Sequence, residues 1–328
     1  MADMVDDLVQ PFEVKPLGVR GRLVRLGPAV DDILHRHAYP APVSALLGEA
    51  IALTAMLGSA LKFDGKFILQ ARGDGPVDLL VADYSTSGGM RGYARYDADA
   101  LSSFSDSTDI SAGRLLGQGH LAMTIDQGGA MDRYQGIVAL EGKSLNEVAH
   151  EYFERSEQIP TRVILATGPL IGRGRAAREA WRAGGILIQH LPASGPSSPL
   201  NLSSGDAPEG AIEVHREDDR WVEARLLVQT VEAHELLDPT ITPARLLYRL
   251  FHERGVTVYQ PQGMKSECTC SRERIAAVLR GFTPQERNEM RQGDEIIVTC
   301  EFCSTRYSFD PAEIEPEITA SSSRQAAS

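Results

Sequence analysis

The sequence predicts an α+β protein: an N-terminal mixed α/β domain with antiparallel sheets, a helical linker, and a small C-terminal domain organised by four cysteines. Three observations predict it. Short apolar runs divided by tight turns fill residues 1–192, and short turns between strands favour antiparallel meanders over βαβ units. A Ser-, Gly- and Pro-rich stretch followed by helical periodicity occupies residues 193–258. All four cysteines fall within residues 259–318, ahead of a small, polar tail at 319–328 that reads as disordered.

The elements follow in chain order. Val43 to Lys62 is apolar almost all round and reads as a buried core helix. Lys66-Phe-Ile-Leu-Gln-Ala-Arg72 and Val77-Asp-Leu-Leu-Val-Ala-Asp83 read as strands. Between them Gly73-Asp74-Gly75-Pro76 is turn chemistry, since glycine takes positive φ freely and proline fixes its own. Gly92–Tyr96, Leu121–Ile125 and Gly136–Leu140 continue the strand pattern. Ser144-Leu-Asn-Glu147 is a capping box that opens a helix to about Glu157. Val163–Thr167 and Gly185–Leu191 are closing strands.

From Ala193 to Asp219 Ser, Gly, Pro and acidic residues predict a loop. Trp221, Ala224, Leu227, Val228 and Val231 then fall on one helical face. Thr242-Pro243 caps a second helix, with the stripe Leu246, Leu247, Leu250 and Phe251. Such a connector must bury its stripe, either permanently as core or under a cover that comes and goes. In the C-terminal region Ser271 caps a short helix carrying Ile275, Val278 and Leu279. Thr283-Pro-Gln-Glu286 starts another, ended by Gly293. Glu295–Cys300 and Arg306–Phe309 form a hairpin.

Cys268-Thr-Cys270 is followed after 29 residues by Cys300-Glu-Phe-Cys303. Two close pairs at this separation suit one tetrahedral zinc ion with four thiolate ligands. Such a site has no open position for water or substrate, so it is structural rather than hydrolytic. Few large apolar side chains surround it, and the metal is expected to supply much of the folding energy of this domain.

Charge excludes some functions. With 33 basic and 45 acidic side chains the formal net charge is −12, which disfavours nucleic acid and anionic membranes. The cysteine region keeps that sign, with seven basic against eleven acidic residues between Gln262 and Ile318. The uncharged run Ala50–Leu61 is too short to span a bilayer, and the acidic start Met1-Ala-Asp-Met-Val-Asp-Asp does not resemble a signal peptide. A reducing cytoplasm is the expected compartment, where paired cysteines bind metal or sense oxidants. No Walker A sequence is present, and Gly172-Arg-Gly-Arg-Ala-Ala177 lacks the strand and acid of a dinucleotide fingerprint. His35 and His37 would share one face of a strand, as metal ligands or, more commonly, as surface residues. Nothing in the spacing argues for a catalytic triad or a carboxylate pair.

Glu267-Cys-Thr-Cys-Ser-Arg-Glu-Arg274, Val298-Thr-Cys-Glu-Phe-Cys303 and Tyr307 resemble the redox-regulated bacterial heat-shock chaperone family, the thirty-three-kilodalton chaperonins. The likeness extends through Leu46-Leu-Gly-Glu49, Gly73–Pro76, Tyr134-Gln-Gly136, Ser156–Pro160, Ala183–Gln189 and Leu247–His252, nearly the whole chain. The linker is longer than is usual in that family. The resemblance implies an ATP-independent holdase, not an enzyme, that binds unfolding client proteins under oxidative or heat stress. It implies a reduced, inactive form with zinc on Cys268, Cys270, Cys300 and Cys303. On oxidation it implies Cys268–Cys270 and Cys300–Cys303 disulfides, loss of zinc, unfolding of the switch domain and linker, and an active form that is often dimeric. The alternatives are a zinc-ribbon nucleic-acid-binding protein, opposed by the acidic balance, and a dithiol oxidoreductase, for which the pair sits in a hairpin rather than at a helix N-terminus.

Overall fold

The computed structural model describes residues 6–104, 111–128, 133–170, 179–191 and 218–314. Of the loop expected at 193–219, residues 193–217 lie outside them, as do the glycine-rich stretch at 172–177 and the tail at 319–328, while Asp218 and Asp219 cap and begin a helix instead. Contacts divide the chain into two units, Met1–Glu267 and Cys268–Ser328.

The first unit opens with β1 (Leu8–Val14), β2 (Val19–Leu26), α1 (Pro28–His35) and α2 (Ala41–Gly58). It continues through β3 (Lys66–Gly73), β4 (Val77–Ser85), β5 (Gly89–Tyr96), α3 (Ala98–Phe104), α4 (Ala112–Leu116), β6 (Gly119–Asp126) and β7 (Tyr134–Ala139). Next come α5 (Leu145–Tyr152), β8 (Thr161–Leu170), β9 (Ala180–His190), α6 (Asp219–Gln229), α7 (Ala233–Leu237) and α8 (Pro243–Phe251). Three two-residue strands close it: β10 (Thr257–Val258), β11 (Gln262–Gly263) and β12 (Lys265–Ser266).

Two sheets result. One runs β10-β1-β2-β9-β8, with β11 also on β1, and is antiparallel throughout. The other runs β12-β5-β4-β3-β6-β7 and is antiparallel except for the β12–β5 pair. Helix α2 touches strands of both sheets, which is why it has no polar face: 14 of its 18 residues are buried. It is long and apolar enough to cross a membrane by composition, but here its apolar surface is spent on the core.

Glycines in the Gly73–Pro76 turn answer a different demand from the expected positive φ. A Cβ on Gly73 would stand 1.8 Å from the Leu116 carbonyl oxygen, so close backbone approach excludes any side chain. His35 and His37 are not on a strand. His35 ends α1 and pairs with Asp31 at 2.8 Å, while His37 stacks on Tyr39. Gly293 does not end a helix either. It takes φ +69° in the turn between β13 (Arg291–Gln292) and β14 (Glu295–Thr299).

The first sheet is apolar on both faces. Val9, Val24, Leu26, Val163 and Leu187 join the main core with α2 and the second sheet. Phe12, Val14, Val19, Leu23, Ile186 and Ile188 point the other way, into a second core. The connector stripe fills that core: Trp221, Ala224, Val228, Leu246, Leu247, Leu250 and Phe251 are all buried. The stripe's cover is therefore this sheet face. Gly184 permits the approach, since a Cβ there would lie 2.7 Å from the Leu236 carbonyl oxygen.

Two buried arginines latch the connector. Arg25, on the same face as Leu23, donates to the carbonyls of Asp238 and Ile241. Arg182 donates to the carbonyl of Leu237 and pairs with Asp6. Backbone acceptors at the end of α7 and start of α8 are thus satisfied by guanidiniums that are themselves cut off from water.

In the second unit α9 (Arg272–Arg280) and α10 (Pro284–Glu289) precede a small sheet of β13, β14 and β15 (Arg306–Phe309), followed by α11 (Pro311–Ile314). Ser271 and Thr283 cap the two helices as the sequence predicts.

Burial lifts the Glu49 carboxyl on α2 to about 7 from an ordinary 4.5. The folded chain then holds a proton that the unfolded chain has released. The resulting stability is full below pH 4.5 and lost as pH rises through about 7. Glu49→Gln, neutral throughout, should lack this loss. Its melting temperature relative to wild type is expected to climb between about pH 5 and about pH 8 in calorimetry. An offset that stays constant with pH would contradict it.

Candidate metal centre

The cysteines arrive from two local structures. Cys268 and Cys270 lie just ahead of α9, where Ser271 accepts the Arg274 N–H at 3.3 Å and Arg274 donates to the Thr269 carbonyl. Cys300 and Cys303 lie in the tight turn joining β14 to β15. The Ser304 N–H donates to the Cys300 carbonyl at 2.8 Å, the Cys300 N–H donates to Thr305 at 2.9 Å, and Ser304 takes φ +55° to close the turn.

Pairing of β14 with β15, in the register Val298 opposite Tyr307, holds that turn rigidly. All four sulfurs lie within 4.8 Å of one another. Cys268–Cys270 and Cys270–Cys303 are 3.3 Å apart, and Cys268–Cys300 is 3.7 Å. Four thiolates at about 2.3 Å from one tetrahedral ion would stand about 3.8 Å apart. The cluster fits that arrangement. Among the described residues it is the one group of three or more Cys, His, Asp or Glu side chains close enough to share an ion.

The electrostatics favour a cation. Burial, offset in part by the Tyr307 hydroxyl, pushes the Cys270 thiol up to about 12. Burial also raises Cys300, against hydrogen bonds from the Cys303 and Phe302 N–H groups. Burial opposes the Cys303 thiolate too, but hydrogen bonds from Thr305 and the neighbouring thiols win and bring it to about 6. One thiolate therefore forms readily, and further negative charge at this spacing needs a positive partner.

Tyr307 and Thr305 are the contacts that the spacing of the cysteines does not disclose. The Tyr307 hydroxyl lies 3.3 Å from Cys270 Sγ, and the Thr305 hydroxyl 3.2 Å from Cys303 Sγ. The apolar support is slight. Ala276, Leu279, Ile296, Phe309 and Ile314 are the buried cluster of this unit, with Arg272 stacked 4.5 Å over the Phe309 ring.

A model of the family described as Hsp33 protein matches residues 7–310. Over 311 residues the chain is 46% identical to a 33 kDa chaperonin of Caulobacter vibrioides (strain NA1000 / CB15N), covering 94% of this chain and 96% of that one. It is 37% identical over 315 residues to a 33 kDa chaperonin of Ectopseudomonas mendocina (strain ymp), covering 94% of each. The crystal structure of the 33 kDa chaperonin from Thermotoga maritima superposes with a TM-score of 0.71 at 22% identity, covering 94% of this chain and 96% of that one. At that identity the superposition speaks for the fold alone.

A hydroxyl donating to a ligand sulfur orients it and offsets its charge. Zinc titration of the reduced protein should give one ion per chain in an all-sulfur shell by X-ray absorption. Tyr307→Phe should weaken zinc by about tenfold or more in a chelator competition. An unchanged affinity would remove Tyr307 from the site.

Proposed function

The chain belongs to the Hsp33 family, and we propose that it is a holding chaperone for unfolding proteins, independent of ATP and switched by oxidation in a reducing cytoplasm. The observation that carries this reading is the convergence of the four sulfurs in a unit whose buried apolar cluster, among the described residues, has five members.

In the reduced state Cys268, Cys270, Cys300 and Cys303 would hold one zinc ion, which supplies the cross-link between the two halves of the unit. Apparent binding energies of structural zinc, about 10–16 kcal/mol, are as large as the net stability of a whole domain, about 5–15 kcal/mol. A unit with so small a core depends on that term. Oxidation forms Cys268–Cys270 and Cys300–Cys303 bonds. Each takes two electrons from a pair of sulfurs; with peroxide the O–O bond breaks and the oxygens leave as water after taking up two protons. A sulfur in a disulfide is a poor ligand, so the cross-link and the fold it supports are lost together.

The route from there to client binding runs along the chain. Immediately before Cys268 stand β12, β11 and β10, each only two residues long. Next upstream is α8. Once the chain from Cys268 onward is disordered, these short pairings are the first to fray. Release of α8, α7 and α6 would then bare Phe12, Leu23, Ile186 and their neighbours, an apolar face able to hold unfolded chains. Opened chains would also be free to pair with a second copy.

Peroxide is expected to release zinc, to collapse amide protection over 268–314, then over 219–266, and to switch on suppression of client aggregation, with ATP making no difference. Zinc release with unchanged protection, or an ATP requirement, would refute the reading. Arg25→Met leaves the Ile241 carbonyl without its side-chain donor and the Asp238 carbonyl with only the Ile241 N–H, at a cost of about 1–3 kcal/mol. It should raise exchange over 219–251 and client binding without oxidant, while zinc stays bound.

A further inference from the structure

Strand β12 pairs differently from the rest of its sheet. It lies parallel along the outer edge of β5, Lys265 opposite Gly89 and Ser266 opposite Met90, while the other pairs are antiparallel. It ends two residues before Cys268. Its backbone hold is short. The Lys265 N–H donates to the Gly88 carbonyl at 2.9 Å, and the Glu267 N–H to the Met90 carbonyl at 2.8 Å. Its side chains alternate as in any half-buried strand. Met264 is buried in the main core, Lys265 is exposed, and Ser266 turns in. That last position is poorly filled, since Ser266 Oγ is buried with no hydrogen bond to any described residue. A buried hydroxyl without a partner penalises the strand that carries it. An apolar side chain would suit this place on the edge better than the chain's own residue does.

The edge is shaped for an approaching backbone. Gly88 opens it at φ +86°, and a Cβ there would stand 2.4 Å from the Gly263 carbonyl oxygen. Farther along, the Ala94 N–H is taken not by a strand but by the Tyr39 hydroxyl, at 3.0 Å. The carbonyls of Gly88 and Met90 and the N–H of Ala94 all face this edge, so by strand alternation Gly92 between them faces it too. A strand seated here can run from Gly88 past Gly92 until it meets Tyr39. The outer edge of β1, held by β10 and β11, is a poorer host. Pro11 turns its carbonyl to that edge, where it accepts the Tyr259 N–H, and has no N–H of its own to offer.

We propose that the Gly88–Ala94 edge of β5 is a strand-acceptor site for extended segments of other polypeptides, and that β12 is the removable guard on it. The segment it fits alternates apolar and polar residues, with apolar side chains in the places of Met264 and Ser266. A strand shed by an unfolding protein has that pattern. Main-chain hydrogen bonds give such a site affinity without demanding one sequence. An edge left open would pair indiscriminately, and a two-residue guard covers it only while the chain around the guard is ordered. The inference rests on the holding-chaperone reading for the event that removes the guard, and adds to it a backbone-directed site apart from the apolar face of the first sheet.

The probe is a fluorescein-labelled heptapeptide, glycine-methionine-lysine-valine-glutamate-valine-threonine. It copies Gly263–Glu267 with valine in place of Ser266 and runs two residues further. Its control carries N-methyl groups on the lysine and glutamate amides, which keeps the side chains and removes the donors to Gly88 and Met90. Anisotropy titrations use the full chain: reduced and zinc-loaded, peroxide-oxidised, and reduced, zinc-loaded Lys265→Pro, which lacks one guard bond. Met264→Ser, without the apolar anchor, is a second opened form in the reduced state. Saturable binding to the opened forms is expected, about tenfold or more tighter than to the reduced wild type and about tenfold or more weaker after N-methylation. Amide exchange over 90–92 should slow on binding. No saturable binding to any opened form overturns the proposal. So does binding that the N-methylated peptide matches, or binding with unchanged exchange over 90–92. Aggregation of a thermally unfolding client, followed with the same samples, separates the two readings. Suppression without edge binding sinks the edge alone. Edge binding by the reduced variants, with no suppression by the oxidised chain, sinks the holdase and leaves the edge and its guard standing.

Discussion

A β-sheet that is apolar on both faces must be covered on both. One face of the first sheet is sealed by α2, which is buried around almost its whole circumference. The other is sealed by three short helices that reach it through a chain segment of different character. The whole arrangement depends on that second seal. It rests on side-chain packing, such as Phe12 against Phe251 with ring centres 5.7 Å apart, and on the Arg25 and Arg182 latch. A guanidinium fully withdrawn from water costs far less when its N–H groups find acceptors; Arg25 gives its two terminal nitrogens to carbonyls, while its Nε lies 3.9 Å from the Asp6 carboxylate. The latch is thus stable only while the helices are in place, and so couples their position to two buried charges.

The second unit poses the opposite problem, too little apolar surface rather than too much. Its helices are well capped, but caps contribute about 1 kcal/mol each. The five buried apolar residues among those described cannot offset the entropy of ordering the unit. A metal held by the sulfur cluster would supply what the core lacks, through atoms whose chemistry depends on oxidation state. On the function proposed above, the same substitution of metal for core that would let a small domain fold would also make its stability answerable to an oxidant.

Much of this was legible in the residues. The β3–β7 meander shows in short apolar runs with turn chemistry between them, and the cysteine pairs show in their spacing. Strands β1 and β2 do not, because Gln10, Pro11 and Glu13 interrupt the apolar residues of β1, and four of the eight residues of β2 are Arg or Gly. The burial of Arg25 depends on acceptors more than two hundred residues further on, which no local pattern reveals. The connector stripe was visible, but its cover was not, for the same reason. Tyr307 stood in the cysteine motif, yet its approach to Cys270 is set by hairpin register, a tertiary fact.

The lengths of the connector helices carry one more consequence. They have 11, 5 and 9 residues. Isolated helices shorter than about 12–15 residues are marginal in water, so α6, α7 and α8 owe their form to the sheet they cover. They cannot leave it as helices. Undocking and unfolding are one event, and the cover is held or lost as a unit rather than loosened by degrees. Longer helices would detach intact and could re-dock their own stripes on one another. Short ones release a flexible chain, and with it Trp221, Leu247 and Phe251, alongside the bared sheet. In the switch proposed above, an exposed face would thus come with a disordered, apolar-rich segment of the same chain, able to adapt to clients of no fixed shape. Return is favoured when the face is empty, because burying the stripe again restores helix and latch together.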